Sequence, residues 1–398
     1  MNEIRQEIHR DEEYLLAFRR EQHRHPELSL HEFETTERIV RELERLGIDV
    51  RRMEPTGVSG EIRGTAGPGG KTILIREDID ALPTTEHTGL AFASENEGCM
   101  HACGHDLHMG MLLGAVRYLK KHEKDFAGTV RFLFQPAEES SQGAKLMIAQ
   151  GIMEGVDHVV GMHISPIYPA GSVSALPGEC WAACDRFKIH VTGKSCHGAM
   201  PHTGKDAALC AAAIVMNLQQ IVSRETDPNT AAVVTVGRIQ SGTTDNIVAG
   251  EAELEGTCRS FSEELHAQLP EKMRRIAEGT AAVYGCEATL EYASLSDVLY
   301  SDPEVTKLGL AAAEKVAGKE NVFISPRQMI AEDFCYYAQM VPSVFFNIGA
   351  RWPEDEKVRP LHSDEVLFDE GAVELGASVF VQTALDLLAG GCPGKEVR

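Results

Sequence analysis

The sequence predicts an α/β protein, a mixed sheet flanked by helices, interrupted by an inserted α+β segment. Short apolar strands alternate with helical patterns over residues 1–184 and again over 294–398. Between 185 and 293 the pattern changes to β-α-β-β-α-β with half-exposed alternating strands, which suits a small antiparallel sheet with two helices on one face. At 398 residues the chain also exceeds the ~250–300 at which a single core stops growing.

Two amphipathic helices are expected first, over 3–23 and 32–46. In the second, Phe33, Ile39, Val40, Leu43 and Leu46 recur at helical spacing and Gly47 follows as a cap. The apolar run Thr72-Ile73-Leu74-Ile75 reads as a buried strand that ends in Arg76-Glu77-Asp78-Ile79-Asp80. Strands at 130–134 and 156–162 end in Gln135-Pro136-Ala137-Glu138-Glu139 and His163, and a helix over 107–120 separates this pair from the first strand. The inserted segment reads as a strand at 187–192, a helix at 206–224, strands at 232–239 and 252–259, a helix at 262–284 and a strand at 287–293. A strand at 343–349, a loop with His362 and a helix over 365–389 complete the chain. Polar groups thus fall at strand ends, where open α/β sheets bind ligands.

A hydrophobic content of 43% with 25% charged residues marks an ordinary globular chain. The formal charge of -22 argues against nucleic acid or an anionic membrane surface as partner. The first residues are charged and lack an apolar leader core, and no apolar run of ~18 residues stands out, so a cytoplasmic protein without a membrane span is expected. The ten cysteines are scattered; all but Cys103 read as structural thiols. Cys99/Cys103 and Cys180/Cys184 have Cys-x3-Cys spacing rather than the Cys-x2-Cys of redox motifs, which disfavours a thiol redox function.

The densest chemistry is Met100-His101-Ala102-Cys103-Gly104-His105-Asp106-Leu107-His108. Thiolate and imidazole are preferred zinc ligands, and Gly104 permits the tight turn that lets Cys103 and His105 reach one space. The plainer alternative is a polar loop with Asp106 capping the following helix. In the Glu138-Glu139 pair, one carboxylate can bind metal while the other moves a proton. That is the division of labour metal-assisted hydrolysis needs, although a solvated acidic turn would look the same in sequence.

Five blocks carry a family resemblance: Arg-x-Asp-x-Asp-Ala-Leu-Pro at 76–83, His-Ala-Cys-Gly-His-Asp-x-His at 101–108, Gln-Pro-Ala-Glu-Glu at 135–139, Gly-x-His at 161–163 and Leu-His-Ser at 361–363. Across nearly the whole chain it resembles the dinuclear metal amidohydrolases that include hippurate hydrolase, N-acyl-amino-acid deacylases, N-acetyldiaminopimelate deacetylase and the plant indole-acetyl-amino-acid hydrolases. The resemblance implies a zinc-exopeptidase-like catalytic domain (1–184 and 294–398) and a ferredoxin-like lid and dimerisation domain (185–293). It implies that Cys103, His105, Glu139, His163 and His362 ligate two divalent ions, zinc or manganese. Glu138 would be the general base and acid, and Asp78 would orient the site from behind, with Asp106 and His108 as further outer partners unless Asp106 only caps. His202 would polarise the scissile carbonyl, and Asn246 and Arg259 would bind the substrate carboxylate. Gly349 would let the substrate backbone approach. Glu77, Ser140-Ser141-Gln142, Ser165, Trp181 and Cys184 depart from the usual pattern and bear on the acyl pocket.

The implied reaction is hydrolysis of an N-acyl amino acid in a homodimer. A dipeptidase or carboxypeptidase with the same site is the alternative within enzymes, and a non-catalytic metal or ligand sensor the alternative outside them. Retention of Glu138 and all five presumed ligands disfavours the sensor.

Overall fold

The computed structural model describes residues 2–352 and 358–390 and contains two compact units. One comprises 1–178, 300–326 and 333–398; the other comprises 179–299 and 327–332. Cys392 lies outside the described residues.

The first unit opens with helices α1 (Glu3–Arg10) and α2 (Glu12–Arg24), then α3 (Phe33–Arg45). The single helix expected over 3–23 breaks at Asp11, a poor helix former whose carboxylate instead accepts two hydrogen bonds from Arg117. Strands β1 (Val50–Arg52), β2 (Val58–Thr65) and β3 (Thr72–Asp78) follow, then α4 (His105–Lys121), β4 (Ala127–Gln135), α5 (Gly143–Ala149), β5 (His158–Pro169) and β6 (Val173–Ala175). α4 begins two residues earlier than the sequence suggests. Gly104 adopts φ 83° at its N-cap, so Asp106 lies inside the first turn and does not cap it.

The second unit contains β7 (Ala183–Thr192), α6 (Ala207–Leu218), β8 (Ala232–Ser241), β9 (Glu251–Ser260), α7 (Glu263–Val283) and β10 (Glu287–Ser296). Its four strands pair antiparallel in the order β8-β9-β7-β10. α6 and α7 pack on each other and on this sheet through Ile214, Leu218, Leu269, Met273 and Ile276. The helix expected over 206–224 is interrupted at Gln219 and resumes over Gln220–Arg224.

Back in the first unit, α8 (Pro303–Ala317), β11 (Val322–Ile324), β12 (Ser343–Arg351) and α9 (Gly371–Leu388) complete an eight-stranded mixed sheet, ordered β1-β2-β4-β3-β5-β12-β6-β11. The last helix starts six residues later than expected, because Phe368 first bridges back to Arg351. β4, β3, β5 and β12 run parallel. β3 is buried on both faces, the environment that demands its uninterrupted apolar run. α9 lies against α4 and across the parallel strands, and Val373, Leu375, Val379, Phe380 and Leu387 join the core.

Two apolar helical stretches do reach membrane-span length, 207–224 and 371–388, contrary to the expectation of none. The second is 72% buried inside the protein, as a core helix is.

Parallel pairing brings strand ends to one edge. Asp78 is in register with Gln135, Arg76 with Gly161 and Asn347 with His163. Just beyond, at Gly349, a Cβ would stand 2.0 Å from the Pro169 carbonyl oxygen and 2.3 Å from Ser172 Oγ. The missing side chain at 349 therefore lets Pro169 and Ser172 pass close against β12. Because the obstructing atom is backbone, Gly349→Ala is expected to cost ~1–3 kcal/mol of stability, the range for overpacking. Denaturant unfolding would measure it, and an unchanged midpoint would contradict this account.

Candidate metal centre

Cys103 and His105 flank the left-handed Gly104, which turns the chain sharply enough to point both side chains the same way. Glu138 and Glu139 follow β4 in a turn whose first residue, Ala137, also has positive φ (58°). His163 extends from β5. His362 stands on a loop with φ 66°, held by its N–H donating to the Ala102 carbonyl at 2.9 Å. Non-glycine residues pay ~1–2 kcal/mol for left-handed backbone, and such strain concentrates where function needs a particular direction.

The sequence-distant side chains converge. Ligand atoms of Cys103, His105 and His163 lie within 4.8 Å of one another, as do those of Cys103, Glu139 and His362, so Cys103 belongs to both groups. Cys103 Sγ is 3.3 Å from His163 Nε2. Glu139 Oε1 is 3.8 Å from His105 Nε2 and 3.5 Å from His362 Nε2. Glu138 joins His105 and Glu139 in a third group, and the Asp333 N–H donates to its Oε1 at 3.4 Å.

Hydrogen bonds fix the imidazole tautomers. His105 Nδ1 donates to the Asp80 carbonyl at 2.8 Å and His163 Nδ1 donates to the Ile164 carbonyl at 2.6 Å, so Nε2 is the nitrogen that each ring turns to the site. His108 differs. Its Nδ1 donates to Asp78 Oδ1 at 2.6 Å and its Nε2 accepts the Ile164 N–H at 2.9 Å, which leaves no lone pair to offer an ion. Asp78 Oδ1 is 3.5 Å from His105 Nδ1, so this carboxylate stands behind both rings. Asp106 sits in a buried ion network, with Oδ2 at 2.6 Å from Arg19 Nε and 2.8 Å from His23 Nδ1. It braces α4 against α2.

The electrostatics are those of a cation site. Burial, reinforced by the Glu139, Glu138 and Asp78 carboxylates, pushes the Cys103 thiol well above its usual value. Burial also raises Glu139 to about 7, with Asp80 and Asp78 adding to it against His105. For His105 burial works downward, but the carboxylates of Asp78, Asp80 and Glu139 override it and hold the ring up at about 10. His105 Nε2 and Glu139 Oε1 are buried without a hydrogen-bond partner. Orphaned atoms of this kind beside crowded anionic groups fit a bound divalent ion, and one thiolate, three imidazoles and a carboxylate suit zinc-like ions.

Four contributors carried no assignable role in the sequence. Asp80 Oδ2 accepts the Glu139 N–H at 3.0 Å and the Ser29 hydroxyl at 2.6 Å. Arg76, wholly buried, joins Asp78 Oδ2 at 3.0 Å to Asp333 Oδ1 at 2.6 Å and donates to Gln135 Oε1 at 2.8 Å. Asp333 also accepts the Ala144 N–H at 2.8 Å. Glu32 accepts the Ala137 N–H. Arg76 and Asp80 stand inside a motif already singled out, whereas Glu32 and Asp333 had no spacing signal.

The other candidate residues lie in the second unit. His202 is exposed in the short turn Pro201–Thr203. Asn246 is brought beside this segment, its carbonyl accepting the Gly198 N–H at 2.7 Å while Ile247 pairs with His197. Arg259 is on β9, and its guanidinium donates to the Cys258 carbonyl at 2.9 Å and to Thr257 Oγ1.

Comparison with known proteins places this arrangement. The family described as Peptidase family M20/M25/M40 matches residues 74–386. An N-acetylcysteine deacetylase of Bacillus subtilis is 37% identical over 376 residues, spanning 94% of this chain and 97% of the relative. Thermostable carboxypeptidase 1 of Saccharolobus solfataricus is 37% identical over 385 residues, spanning 95% and 96%. The crystal structure of the Bacillus subtilis YXEP protein, a dinuclear metal binding peptidase, superposes with a TM-score of 0.81 at 35% identity, covering 95% of this chain and 98% of that one.

Removing Arg76 would leave the Asp78 and Asp333 carboxylates buried without their shared cation. Arg76→Leu is expected to destabilise the fold by ~3–5 kcal/mol, the cost of breaking a buried pair from one side. A denaturation midpoint equal to that of the parent would refute the bridging role.

Proposed function

This chain belongs to the peptidase family M20/M25/M40 and is a metal-dependent hydrolase of amide bonds, and we propose that its substrates are N-acyl amino acids. The observation that carries the site is the convergence of the buried thiol, three imidazoles and Glu139, with His105 Nε2 and Glu139 Oε1 buried without a hydrogen-bond partner. Cys103, His105, Glu139, His163 and His362 would hold two divalent ions, zinc or manganese. Such ions supply Lewis acidity, lowering the pKa of water and polarising a carbonyl.

The protein's own groups do the rest. Glu138, held by the Asp333 amide, takes a proton from the attacking water on its carboxylate. It then delivers that proton to the amide nitrogen as the C–N bond breaks, releasing amino acid and carboxylic acid. Asp78 keeps His105 and His108 oriented. His202 stabilises the oxyanion, while Asn246 and the Arg259 fork take the substrate carboxylate. Gly349 offers its backbone to the substrate, its Cβ side being taken up by Pro169 and Ser172.

The 37% identity to a carboxypeptidase favours one second reading, cleavage of a dipeptide at the same centre. Assaying N-acetyl amino acids beside dipeptides, before and after chelation, separates the two. The expected result is about two ions per chain, as proposed for the dinuclear site, with hydrolysis lost on chelation and regained with zinc or manganese. Metal-free protein that hydrolyses the panel equally well would end the reading. Glu138→Gln is expected to keep its metal and lose more than ~100-fold in turnover.

Residues 185–293 would form a lid and dimerisation domain of a cytoplasmic homodimer. Nine cysteines among the described residues are free, which suits a reducing compartment. Leu209 and Met216 are 56% and 72% exposed on the outward face of α6, and β8 ends the strand order of its sheet. Exposed apolar side chains beside an edge strand suit self-association. Light scattering should find a dimer that Leu209→Glu with Met216→Glu converts to monomer; a monomeric parent would refute it.

A further inference from the structure

Glu32 lies in the segment before α3, far in sequence from the metal centre, yet its side chain is wholly buried. Its Oε1 accepts the Ala137 N–H at 2.9 Å and its Oε2 accepts the Thr56 hydroxyl at 2.6 Å. Ala137 opens the turn that carries Glu138 and Glu139. Successive side chains of an extended strand point to opposite faces, so two adjacent carboxylates serve one centre only if the chain leaves the extended conformation. It does so at Ala137, with φ 58°. The Ala137 carbonyl meanwhile accepts from the Gln142 and Gly143 amides at 3.2 and 3.0 Å, closing the turn on the same residue. Asp80 holds the Glu139 amide, and Glu32 holds the amide at the turn's entrance.

We propose that Glu32 is a positioning residue for the Glu138–Glu139 pair, gripping the Ala137 amide so that the unfavourable left-handed turn persists and both carboxylates face the metal centre. This rests on the dinuclear reading above. Glu32 touches neither ions nor substrate in it and acts through Ala137 alone. Burial pushes its carboxyl up to about 7, with Asp80 contributing, so a neutral amide is a close substitute. In Glu32→Gln the amide oxygen can accept from Ala137 while the NH2 donates to Thr56. Glu32→Leu keeps the bulk and offers no acceptor.

The test measures metal stoichiometry and affinity by competition with a chromophoric chelator, the visible spectrum of the cobalt-substituted enzyme, kcat and KM on N-acetylmethionine, and thermal stability. Glu32→Leu is expected to lose about 10–100-fold in metal affinity and kcat, the range for outer partners of metal ligands, with KM little changed and an altered cobalt spectrum. Glu32→Gln should recover all of these. Adding Ala137→Gly to Glu32→Leu should recover part, since glycine takes the left-handed conformation without restraint. Parental metal affinity and kcat in Glu32→Leu would overturn the proposal. So would a Glu32→Gln variant as impaired as Glu32→Leu, because charge rather than the amide grip would then matter. Should Glu32→Leu not fold, Thr56→Val decides. It loosens Glu32 without emptying its place, and unchanged metal affinity there overturns the proposal. A parent protein that binds no metal removes the dinuclear reading itself, a result distinct from parental behaviour in the variants.

Discussion

Asp78, Asp80, Glu138, Glu139 and the Cys103 thiol share one buried sheet edge, and like charges in a low-dielectric setting repel and resist ionisation. Much of the surrounding architecture answers that constraint. Arg76 sets one permanent cation between Asp78 and Asp333. Backbone amides neutralise part of the rest: those of Glu139 and Ala144 serve Asp80 and Asp333, and that of Asp333 serves Glu138. Among the buried atoms still without a hydrogen-bond partner are Asp80 Oδ1, His105 Nε2 and Glu139 Oε1, the last two belonging to the candidate ion ligands. Buried charge is costly to fold around, so a site assembled this way is preorganised, and an incoming cation meets donors that need little rearrangement.

The backbone is shaped by the same demand. A parallel sheet delivers chain ends to one edge but does not aim side chains, because alternation along each strand sends neighbours to opposite faces. Left-handed residues at Gly104, Ala137 and His362 redirect the chain where Cys103, the Glu138–Glu139 pair and His362 must meet. Only one of the three is glycine. At the other two the strain is carried by residues whose amides are held from elsewhere, by Glu32 and by Ala102.

Much of this was legible in the sequence. Apolar runs bounded by polar clusters marked β3, β4, β5 and β12, and the motif residues at their ends meet as their positions suggested. β1 and β2 were not assigned, since Val58–Thr65 mixes glycine, glutamate and arginine with its apolar positions and pairs with β4 only through tertiary context. Asp106 left two readings open in the sequence, outer partner or helix cap, and the capping one fails for a specific reason. An acidic residue before an apolar run is a capping signal, but Gly104 had already turned the chain and Arg19 and His23 claim the carboxylate. Glu32 and Asp333 were invisible because a single buried carboxylate has no period. Only the fold shows that one meets Ala137 and the other Arg76.

The candidate residues divide between the two units. Every presumed ion ligand, together with Glu138 and the network of Asp78, Arg76 and Asp333, belongs to the first unit. His202, Asn246 and Arg259 belong to the second. Bond-breaking depends on charge placed to within a fraction of an ångström, which the buried sheet edge provides. In the second unit, by contrast, His202 is exposed in its turn and the Arg259 donors rest on Cys258 and Thr257. It follows that substitutions in the Arg76 network should act on stability and metal retention together.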